Sequence, residues 1–266
     1  MKLIDSHTHC EFSPDSRMSM EQALEKIKTA GLAGIIFTDH QDINTPSGDK
    51  RFMFDPAIQQ QKIDQMKEQY DIPILKGIEI GLQPHTIEDA AAFVNGYRFD
   101  TIIASVHFVD GIDPYHDHYY DIRDIKMAYG RYLETIYYCI TKFANFDVLG
   151  HYDYITRYAP YRERVILYSR FKDILDQILT FLAREGKALE INTNTYREKN
   201  GATPYLDVNV LKRFKEVGGE IVTLGSDAHD SWRIGEKFVQ YSEIIKDCGF
   251  RYIAHFQNRE AQFTSI

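Results

Sequence analysis

The chain has 266 residues, of which 44% are hydrophobic and 26% charged, so it can bury a continuous core and is not a disordered protein. Its formal net charge of -8, from 39 acidic and 31 basic residues, argues against a protein whose main task is to hold a nucleic-acid backbone. Three widely spaced cysteines without a CxxC pair, Cys10, Cys139 and Cys248, argue against a disulfide framework and a thiolate zinc knot.

Short apolar runs rich in β-branched residues recur along the chain, and each ends near a residue that can bind a metal or act in an active site. Such runs are typical of parallel strands that are buried on both faces. In chain order, we predict strands over residues 2–6, 34–38, 74–80, 101–106, 147–150, 188–192 and 220–226, with a weaker eighth over residues 252–256.

Segments of helical period lie between several of these runs. We predict helices over residues 20–30, 55–70, 164–184 and 207–217. In the third helix, apolar residues spaced three or four apart form one stripe: Leu167, Phe171, Leu175, Ile178 and Leu182. Because strand and helix alternate without a Ser/Gly-rich linker, we expect βα units in a single domain that spans residues 1–266.

About seven parallel strands with covering helices predict an α/β protein. A (β/α) barrel is the economical closure, and it gathers functional groups at the carboxyl ends of its strands. A doubly wound open sheet is the competing topology. The two long connections, residues 41–54 and 108–123, both follow strands and should overhang the mouth, either as lids or as packed surface loops.

Histidine and carboxylate residues fall at the ends of the predicted strands. His7 and His9 stand two apart, so both side chains lie on one face of their strand and can chelate one ion. The other candidates at strand ends are His40, Glu79, His107, His151, Asp227 and His229. Any one of these histidines alone is better explained as a structural imidazole. However, six of the ten histidines occupy strand ends, and this joint pattern favours a metal site.

The chemistry of these side chains restricts the metal. Imidazole and carboxylate groups without thiolates suit Zn, Mn or Fe. A ninth candidate, Asp15, lies in the loop after the first strand, where an Asp in Ser-Pro-Asp-Ser is ordinarily a turn former. Nine ligands are too many for one catalytic ion, so we expect more than one.

Taken together, these residues resemble the PHP (polymerase and histidinol phosphatase) superfamily, and more closely its histidinol-phosphate phosphatase branch. The motifs DSHTH, Asp15, TDH, GIE, SVH, GH and SDAH follow in the family's order over nearly the whole chain. The resemblance implies a distorted (β/α)7 TIM-like barrel with a trinuclear site of divalent ions.

Ligand sets and mechanism are implied by the same resemblance. One ion would be bound by His7, His9, Glu79 and Asp227. Glu79 would bridge it to a second ion at His107 and His151, and Asp15, His40 and His229 would hold the third. A metal-bridging hydroxide held by Glu79, Asp227 and His151 would attack the phosphoryl group in line, without a phosphoenzyme.

Three arginines are candidates for substrate binding. Arg157 and Arg197 each follow a strand end, and a guanidinium group can bind two phosphate oxygens at once. Arg233, just after SDAH, is a weaker third candidate, and a solvated surface position remains the alternative for each. His116 and His118 form a second HxH, but in a polar loop that predicts lid or surface residues. For a substrate ammonium group, Asp42, Asp110 and Asp153 lie in loops that could reach it.

The resemblance implies hydrolysis of L-histidinol phosphate, a phosphomonoester, in histidine biosynthesis. The alternative is a PHP-type phosphoesterase that acts on nucleotides, short oligonucleotides or phosphotyrosine. A third reading, a metal-binding module without turnover, is disfavoured by the complete ligand set. No run approaches the roughly 18 apolar residues of a membrane span, so we expect a cytoplasmic protein with a small-molecule partner and no membrane or nucleic-acid partner.

Overall fold

The structure, a computed structural model, describes residues 2–266, and within them the chain forms ten strands and eight α-helices. The strands are β1 (Ile4–Thr8), β2 (Gly34–Phe37), β3 (His40–Asp42), β4 (Ile74–Gly81), β5 (Thr101–Ser105), β6 (Val148–Leu149), β7 (Ala188–Asn192), β8 (Val222–Gly225), β9 (Tyr252–Gln257) and β10 (Glu260–Ser265). The helices are α1 (Met20–Ala30), α2 (Pro56–Gln69), α3 (Ile87–Asn95), α4 (Ile125–Lys142), α5 (Ile155–Tyr158), α6 (Lys172–Arg184), α7 (Val208–Glu216) and α8 (Phe238–Asp247).

The strands join in the order β1-β2-β4-β5-β6-β7-β8-β9-β10, and β3 pairs with β4 outside this path. All pairings are parallel except that of β9 with β10. A parallel bridge between Thr8 and Ala228 brings the end of β1 against the segment after β8. Backbone hydrogen bonds from Asp227 N to His7 O (2.8 Å) and from His9 N to Ala228 O (3.0 Å) reinforce this contact. The predicted α/β class, with parallel strands arranged as a distorted barrel, is confirmed.

All eight predicted strands are present, each with ends within two residues of the predicted ones. Every residue of β1, β2 and β4 to β8 is buried, as expected of strands that are covered on both faces. The sequence reasoning did not predict the strands β3 and β10 or the helices α3, α4, α5 and α8.

The helix predicted over residues 164–184 is wrong at its start, because α6 begins at Lys172. The residues before it bind the segment that follows β7. The Arg164 guanidinium donates to the carbonyl of Lys199 (2.5 Å), and the backbone N–H of Tyr168 donates to the Asp207 carboxylate (2.7 Å). These tertiary hydrogen bonds prevail over the helical spacing of the apolar residues.

The hairpin of β9 and β10 covers the amino-terminal end of the barrel. Phe256 packs there with Ile103, Val148 and Ala188, which lie at or near the starts of β5, β6 and β7. The Thr101 hydroxyl donates to the Phe256 carbonyl (3.1 Å) and ties the hairpin to β5. The other end of the barrel, where the strands finish, is therefore the end at which loops can build a site.

The helices pack around the strands, and most buried apolar side chains form one core, whereas those of α1 and α2, with Ile35 and Phe37 of β2, form a second cluster. None of the helices formed by residues 2–266 combines the length and the apolar character needed to cross a membrane.

Candidate metal centre and active site

The nine side chains predicted as metal ligands come together at the carboxyl ends of the strands. Each lies within a strand, at its start or in the loop that follows it. They are His7, His9, Asp15, His40, Glu79, His107, His151, Asp227 and His229. Seven of the nine are nearly or fully buried, and His229 and Asp15 lie nearest to solvent.

The first group consists of His7, His9, Glu79 and Asp227, whose ligand atoms converge. The Nε2 atoms of His7 and His9 lie 3.1 Å apart, and they are 3.4 and 3.5 Å from Glu79 Oε2. His9 Nε2 lies 3.1 Å from Asp227 Oδ1. This grouping has the composition that the family resemblance implies for the first ion.

A second group meets at the other carboxylate oxygen of Glu79. Glu79 Oε1 lies 2.7 Å from His151 Nε2 and 3.2 Å from His107 Nε2. Glu79 therefore faces two clusters of imidazoles, one through each oxygen, which is the arrangement that a bridging carboxylate requires.

The remaining side chains form a third group nearer the mouth. Asp15 Oδ2 lies 3.3 Å from His229 Nε2 and 3.6 Å from His40 Nε2, and these two Nε2 atoms are 3.4 Å apart. His40 Nδ1 also approaches Glu79 Oε2 at 2.8 Å, so the third group adjoins the first.

These residues fit divalent metal ions. Within residues 2–266, the buried atoms Glu79 Oε2 and Asp227 Oδ1 form no hydrogen bond of acceptable geometry, although imidazole nitrogens lie 2.8 and 3.1 Å away and buried polar atoms ordinarily find a partner. The side chains form five overlapping groups of three, and within each group the three ligand atoms lie within 4.8 Å of one another. All the donors are imidazole nitrogens or carboxylate oxygens, a set that suits Zn, Mn or Fe.

The electrostatics also favour cations at these positions. Burial opposes ionisation of Glu79, yet the surrounding imidazoles, first that of His7, hold the pKa of Glu79 well below its usual range. Burial also opposes ionisation of Asp227, and nearby imidazoles again hold its pKa low. Burial and the neighbouring imidazoles of His40 and His229 lower the pKa of His9, which favours the neutral form that binds metals.

The backbone at Asp227 is held in the left-handed region, with φ of 47°. This conformation is uncommon for a residue other than glycine. The hydrogen bond from Asp227 N to His7 O fixes it, and the carboxylate is thereby turned toward His9. Strain of this kind is characteristic of functional sites.

A buried carboxylate that the sequence reasoning missed orients His7. Glu190, in β7, lies with Oε1 2.6 Å from His7 Nδ1, while its Oε2 accepts the backbone N–H of His151 (2.8 Å). A side chain at position 225 would come within 2.6 Å of Glu190 Oε1, so glycine is needed there. The signal for this residue is the Glu inside the apolar run ALEIN, because a buried carboxylate requires a partner.

Asp42 has the same relation to His107. Its Oδ1 lies 2.9 Å from His107 Nδ1, so the Nε2 atom of that ring is the one presented to Glu79. A Cβ at position 81 would overlap Asp42 Oδ1, so Gly81 makes this contact possible. Asp42 was a candidate for binding a substrate ammonium group, but its carboxylate is already engaged with a histidine.

A third carboxylate, Asp39, fixes the turn after β1. It accepts hydrogen bonds from Cys10 N (2.8 Å), Cys10 Sγ (3.0 Å), Ser13 Oγ (2.7 Å) and Gln59 Nε2 (2.9 Å). Ser13 Oγ in turn lies 3.0 Å from His9 Nδ1. Cys10 is fully buried and packs in the apolar core, away from the metal ligands.

The charges of the three candidate arginines influence one another, and Arg197 and Arg233 both lie over the ring of Trp232, at 5.0 and 4.6 Å. Partial burial and the nearby charges of Arg233 and Arg157 lower the pKa of Arg197. The Nε atoms of Arg157 and Arg233 are buried and, within residues 2–266, form no hydrogen bond, although Arg233 Nε forms an ion pair with Asp230 Oδ2 at 3.6 Å. A buried guanidinium donor without a hydrogen bond, as at Arg157, is expected where an anion binds.

Arg197 is linked to the metal centre through one residue. It donates to Asn194 Oδ1 (3.3 Å), and Asn194 donates to Asp227 Oδ2 (3.0 Å). On the outer side, Arg197 pairs with Glu236 (3.0 Å) and stacks on the exposed ring of Trp232. None of the three arginines is among the described residues that line the cavity, whereas Asn194 is.

A cavity of about 680 Å³ lies over the metal ligands. Both long loops contribute to its walls, as predicted: Thr45 to Phe52 on one side and Phe108 to His118 on the other. His116 and His118 lie in the second loop with stacked rings, exposed at the cavity rim. They are thus lid or surface residues, away from the metal ligands.

Comparisons of the chain with family models and with curated proteins agree on its family. The family model described as PHP domain matches residues 5–194. A histidinol-phosphatase of Lactococcus lactis subsp. lactis is 32% identical over 259 residues, which cover 96% of this chain and 95% of that protein. A probable histidinol-phosphatase of Clostridium acetobutylicum is 32% identical over 253 residues, which cover 94% of this chain and 95% of that protein.

A solved structure is similar over the full length. It is the crystal structure of histidinol phosphate phosphatase from Lactococcus lactis subsp. lactis, complexed with zinc, L-histidinol and phosphate. The TM-score is 0.90 at 31% sequence identity, and the match covers 98% of this chain and 99% of that one. With a family model that spans well over half of its length and relatives that match it nearly end to end, the chain belongs to the PHP domain family.

Proposed function

We propose that this protein is a phosphatase that hydrolyses L-histidinol phosphate to L-histidinol and phosphate, a step of histidine biosynthesis. The observation that carries the proposal is the convergence of nine imidazole and carboxylate side chains beside three arginines. The relative that matches the chain almost end to end was crystallised with zinc, L-histidinol and phosphate.

In this proposal the nine side chains bind three divalent ions, in the three groups described above, and Zn, Mn or Fe fits the donors. Bound ions would neutralise the phosphoryl oxygens and lower the pKa of a water molecule toward neutrality. Glu79, Asp227 and His151 would hold the ions that activate that water. The two oxygens of Glu79 face different imidazole clusters, so this residue would offer one ligand atom to each of two ions.

The arginines orient the phosphoryl group. Arg197 is held by Glu236, Trp232 and Asn194, so its guanidinium is already in place before substrate arrives. Arg157 keeps a buried Nε donor that forms no hydrogen bond within residues 2–266, and Arg233 forms an ion pair with Asp230 at 3.6 Å. Because charge spreads over the equatorial oxygens during phosphoryl transfer, these cations stabilise the transition state more than the ground state.

The walls of the cavity enclose a space that suits a small-molecule substrate. The loops of residues 41–54 and 108–123 surround the metal ligands and shield the reacting phosphoryl group from bulk water. We also propose that residues 1–266 act as one phosphatase domain with a small-molecule partner. The cytoplasmic location expected from the sequence stays a prediction.

The test is phosphate release by the Mn- or Zn-loaded protein from L-histidinol phosphate, compared with nucleoside monophosphates, a phosphotyrosine peptide and a short oligonucleotide. We expect a preference in kcat/KM of about a hundredfold or more for L-histidinol phosphate, or roughly 2.7 kcal/mol of transition-state discrimination. A higher kcat/KM on a nucleotide, the peptide or the oligonucleotide would move the substrate assignment to another branch of the family.

A further inference from the structure

The cavity is lined by five carboxylates, and their partners differ. They are Asp15, Asp42, Asp49, Asp113 and Asp227. Asp15 and Asp227 belong to the predicted metal ligands. Asp42 is engaged with the His107 ring at 2.9 Å, and Asp49 pairs with Arg51 at 2.7 Å. Asp113 is the member of this set that none of these roles explains.

Asp113 lies in the loop of residues 108–123, which forms one wall of the cavity. Its Oδ1 accepts a hydrogen bond from Tyr115 N (2.8 Å) and a longer one from the Tyr154 hydroxyl (3.4 Å). Both bonds end on the same oxygen, and within residues 2–266 no lysine or arginine forms an ion pair with Asp113. The side chain is therefore positioned, but its charge is not neutralised.

The surroundings of Asp113 increase the need for a cation. Partial burial raises the pKa of Asp113, and the nearby Asp42 carboxylate acts in the same direction, although Tyr115 N–H and the imidazoles of His107 and His116 oppose them. Lys199 is close enough for the Asp113 carboxylate to stabilise its ammonium group electrostatically. However, its ammonium group lies over the rings of Tyr115 (4.2 Å) and Tyr158 (4.1 Å) instead of forming an ion pair with Asp113.

The other acids in these loops are excluded by their own contacts. Asp110 pairs with Arg131 at 2.7 Å, outside the cavity. Asp153 is buried and accepts the Tyr196 hydroxyl at 2.7 Å. Neither can turn toward a ligand in the cavity without breaking a hydrogen bond or an ion pair.

We infer that Asp113 binds the ammonium group of the substrate's alcohol moiety, and so selects phosphate esters of amino alcohols over phosphate esters whose alcohol part carries no amino group. Aromatic side chains that line the same wall, Tyr154 and Phe108 among them, suit the apolar part of such a cation. This inference rests on the proposed function, since it takes the phosphoryl group to lie at the metal ligands and the alcohol moiety to extend into the cavity.

The experiment compares Asp113→Asn with the unaltered protein on two esters of equal length. One is L-histidinol phosphate, and the other is its deamino analogue, 3-(imidazol-4-yl)propyl phosphate. We expect kcat/KM of the variant to fall about 10- to 100-fold on the first ester, because a hydrogen bond to a charged group is lost. On the deamino ester it should change less than about twofold, because the phosphoryl contacts are intact.

Asp117→Asn is the matched control, because Asp117 is an exposed acid of the same loop that does not line the cavity. It should leave both esters unaffected. A second readout is the affinity for the product, L-histidinol, measured by calorimetry on the metal-loaded protein. Asp113→Asn should weaken it, whereas the affinity for inorganic phosphate should stay the same.

Equal losses on the two esters in a variant whose affinity for inorganic phosphate is unchanged, or no loss on either ester, would overturn the role of Asp113 while the proposed function stood. A protein that does not hydrolyse L-histidinol phosphate before any substitution would overturn both. Affinity for inorganic phosphate also reports folding, so a misfolded variant is recognised by losing phosphate binding together with both activities. In that case Asp113→Glu, which keeps the charge, must preserve the preference for the amino ester, and loss of that preference with folding intact would refute the role.

Discussion

The Glu190→Gln substitution would test whether the metal centre depends on a residue outside the nine predicted ligands. Glu190 is almost fully buried, and its two oxygens serve different donors: His7 Nδ1 at 2.6 Å and the backbone N–H of His151 at 2.8 Å. A glutamine has nearly the same shape but only one acceptor oxygen. Its NH2 group must therefore face one of the two donors, or the His7 ring must change its tautomer.

The magnitude follows from the charge of the lost contact. With its proton on Nδ1, His7 presents the lone pair of Nε2 toward Glu79, 3.4 Å away. Glu190 fixes that tautomer and makes the ring a stronger base, as carboxylates beside metal-bound histidines do. We expect the variant to bind the ion at His7 about 10- to 100-fold more weakly, which corresponds to roughly 1.4–2.7 kcal/mol.

Metal affinity would be measured by titrating the metal-free protein with Zn or Mn against a competing chelator. Glu220→Gln is the control, because Glu220 is an exposed acid just before β8 and should have no effect. Hydrolysis at saturating metal would then show whether the weaker binding accounts for the lost activity. A folded Glu190→Gln variant with unaltered metal affinity would refute the role given to this carboxylate.

Three further outcomes are expected. Arg197→Ala should lower kcat/KM for phosphomonoesters about tenfold or more while metal content is kept, whereas Glu79→Ala should lose metal and activity together; equal metal loss in both would contradict these roles. Asp39→Ala removes the acceptor of four hydrogen bonds, so the free energy of unfolding measured in urea should fall by about 2–4 kcal/mol. An equal fall in the control Asp71→Ala, which alters an exposed acid, would contradict this role of Asp39. Chelation should lower the melting temperature and added Zn or Mn should restore it, because bound ions stabilise the folded state; an unchanged melting temperature in metal-free protein would exclude this coupling.

Sequence patterns predicted the strands and eight of the nine clustered side chains because both depend on local signals, whereas Asp15 gained its support from the family resemblance. A buried parallel strand is a short apolar run, and the barrel directs the ends of all such runs to one place. His7 and His9 illustrate this, since their spacing of two puts them on one face whatever the rest of the fold.

The residues that orient the ligands could not be predicted in the same way, because they depend on register across the sheet. Glu190 meets His7 across 183 residues, and Asp42 meets His107 across 65. Neither pairing follows from local spacing, and both need a glycine on a neighbouring strand to make room. The start of α6 was also missed for a non-local reason, the hydrogen bonds that bind residues 164–171 to the segment after β7.

The charge of the site resolves an apparent conflict between an acidic protein and an anionic substrate. Burial opposes protonation of His40 and His107, yet the carboxylates of Asp15, Asp42 and Glu79 raise the pKa of these rings, so in the metal-free site the carboxylates are paired with imidazolium groups. Bound divalent ions would displace those protons and supply the positive charge that attracts a phosphoryl group, whereas Arg197 and its neighbours add positive charge only at the side. Phosphate affinity must therefore depend on metal loading. Because coupling between two ligands is reciprocal, phosphate must raise the metal affinity by the same factor.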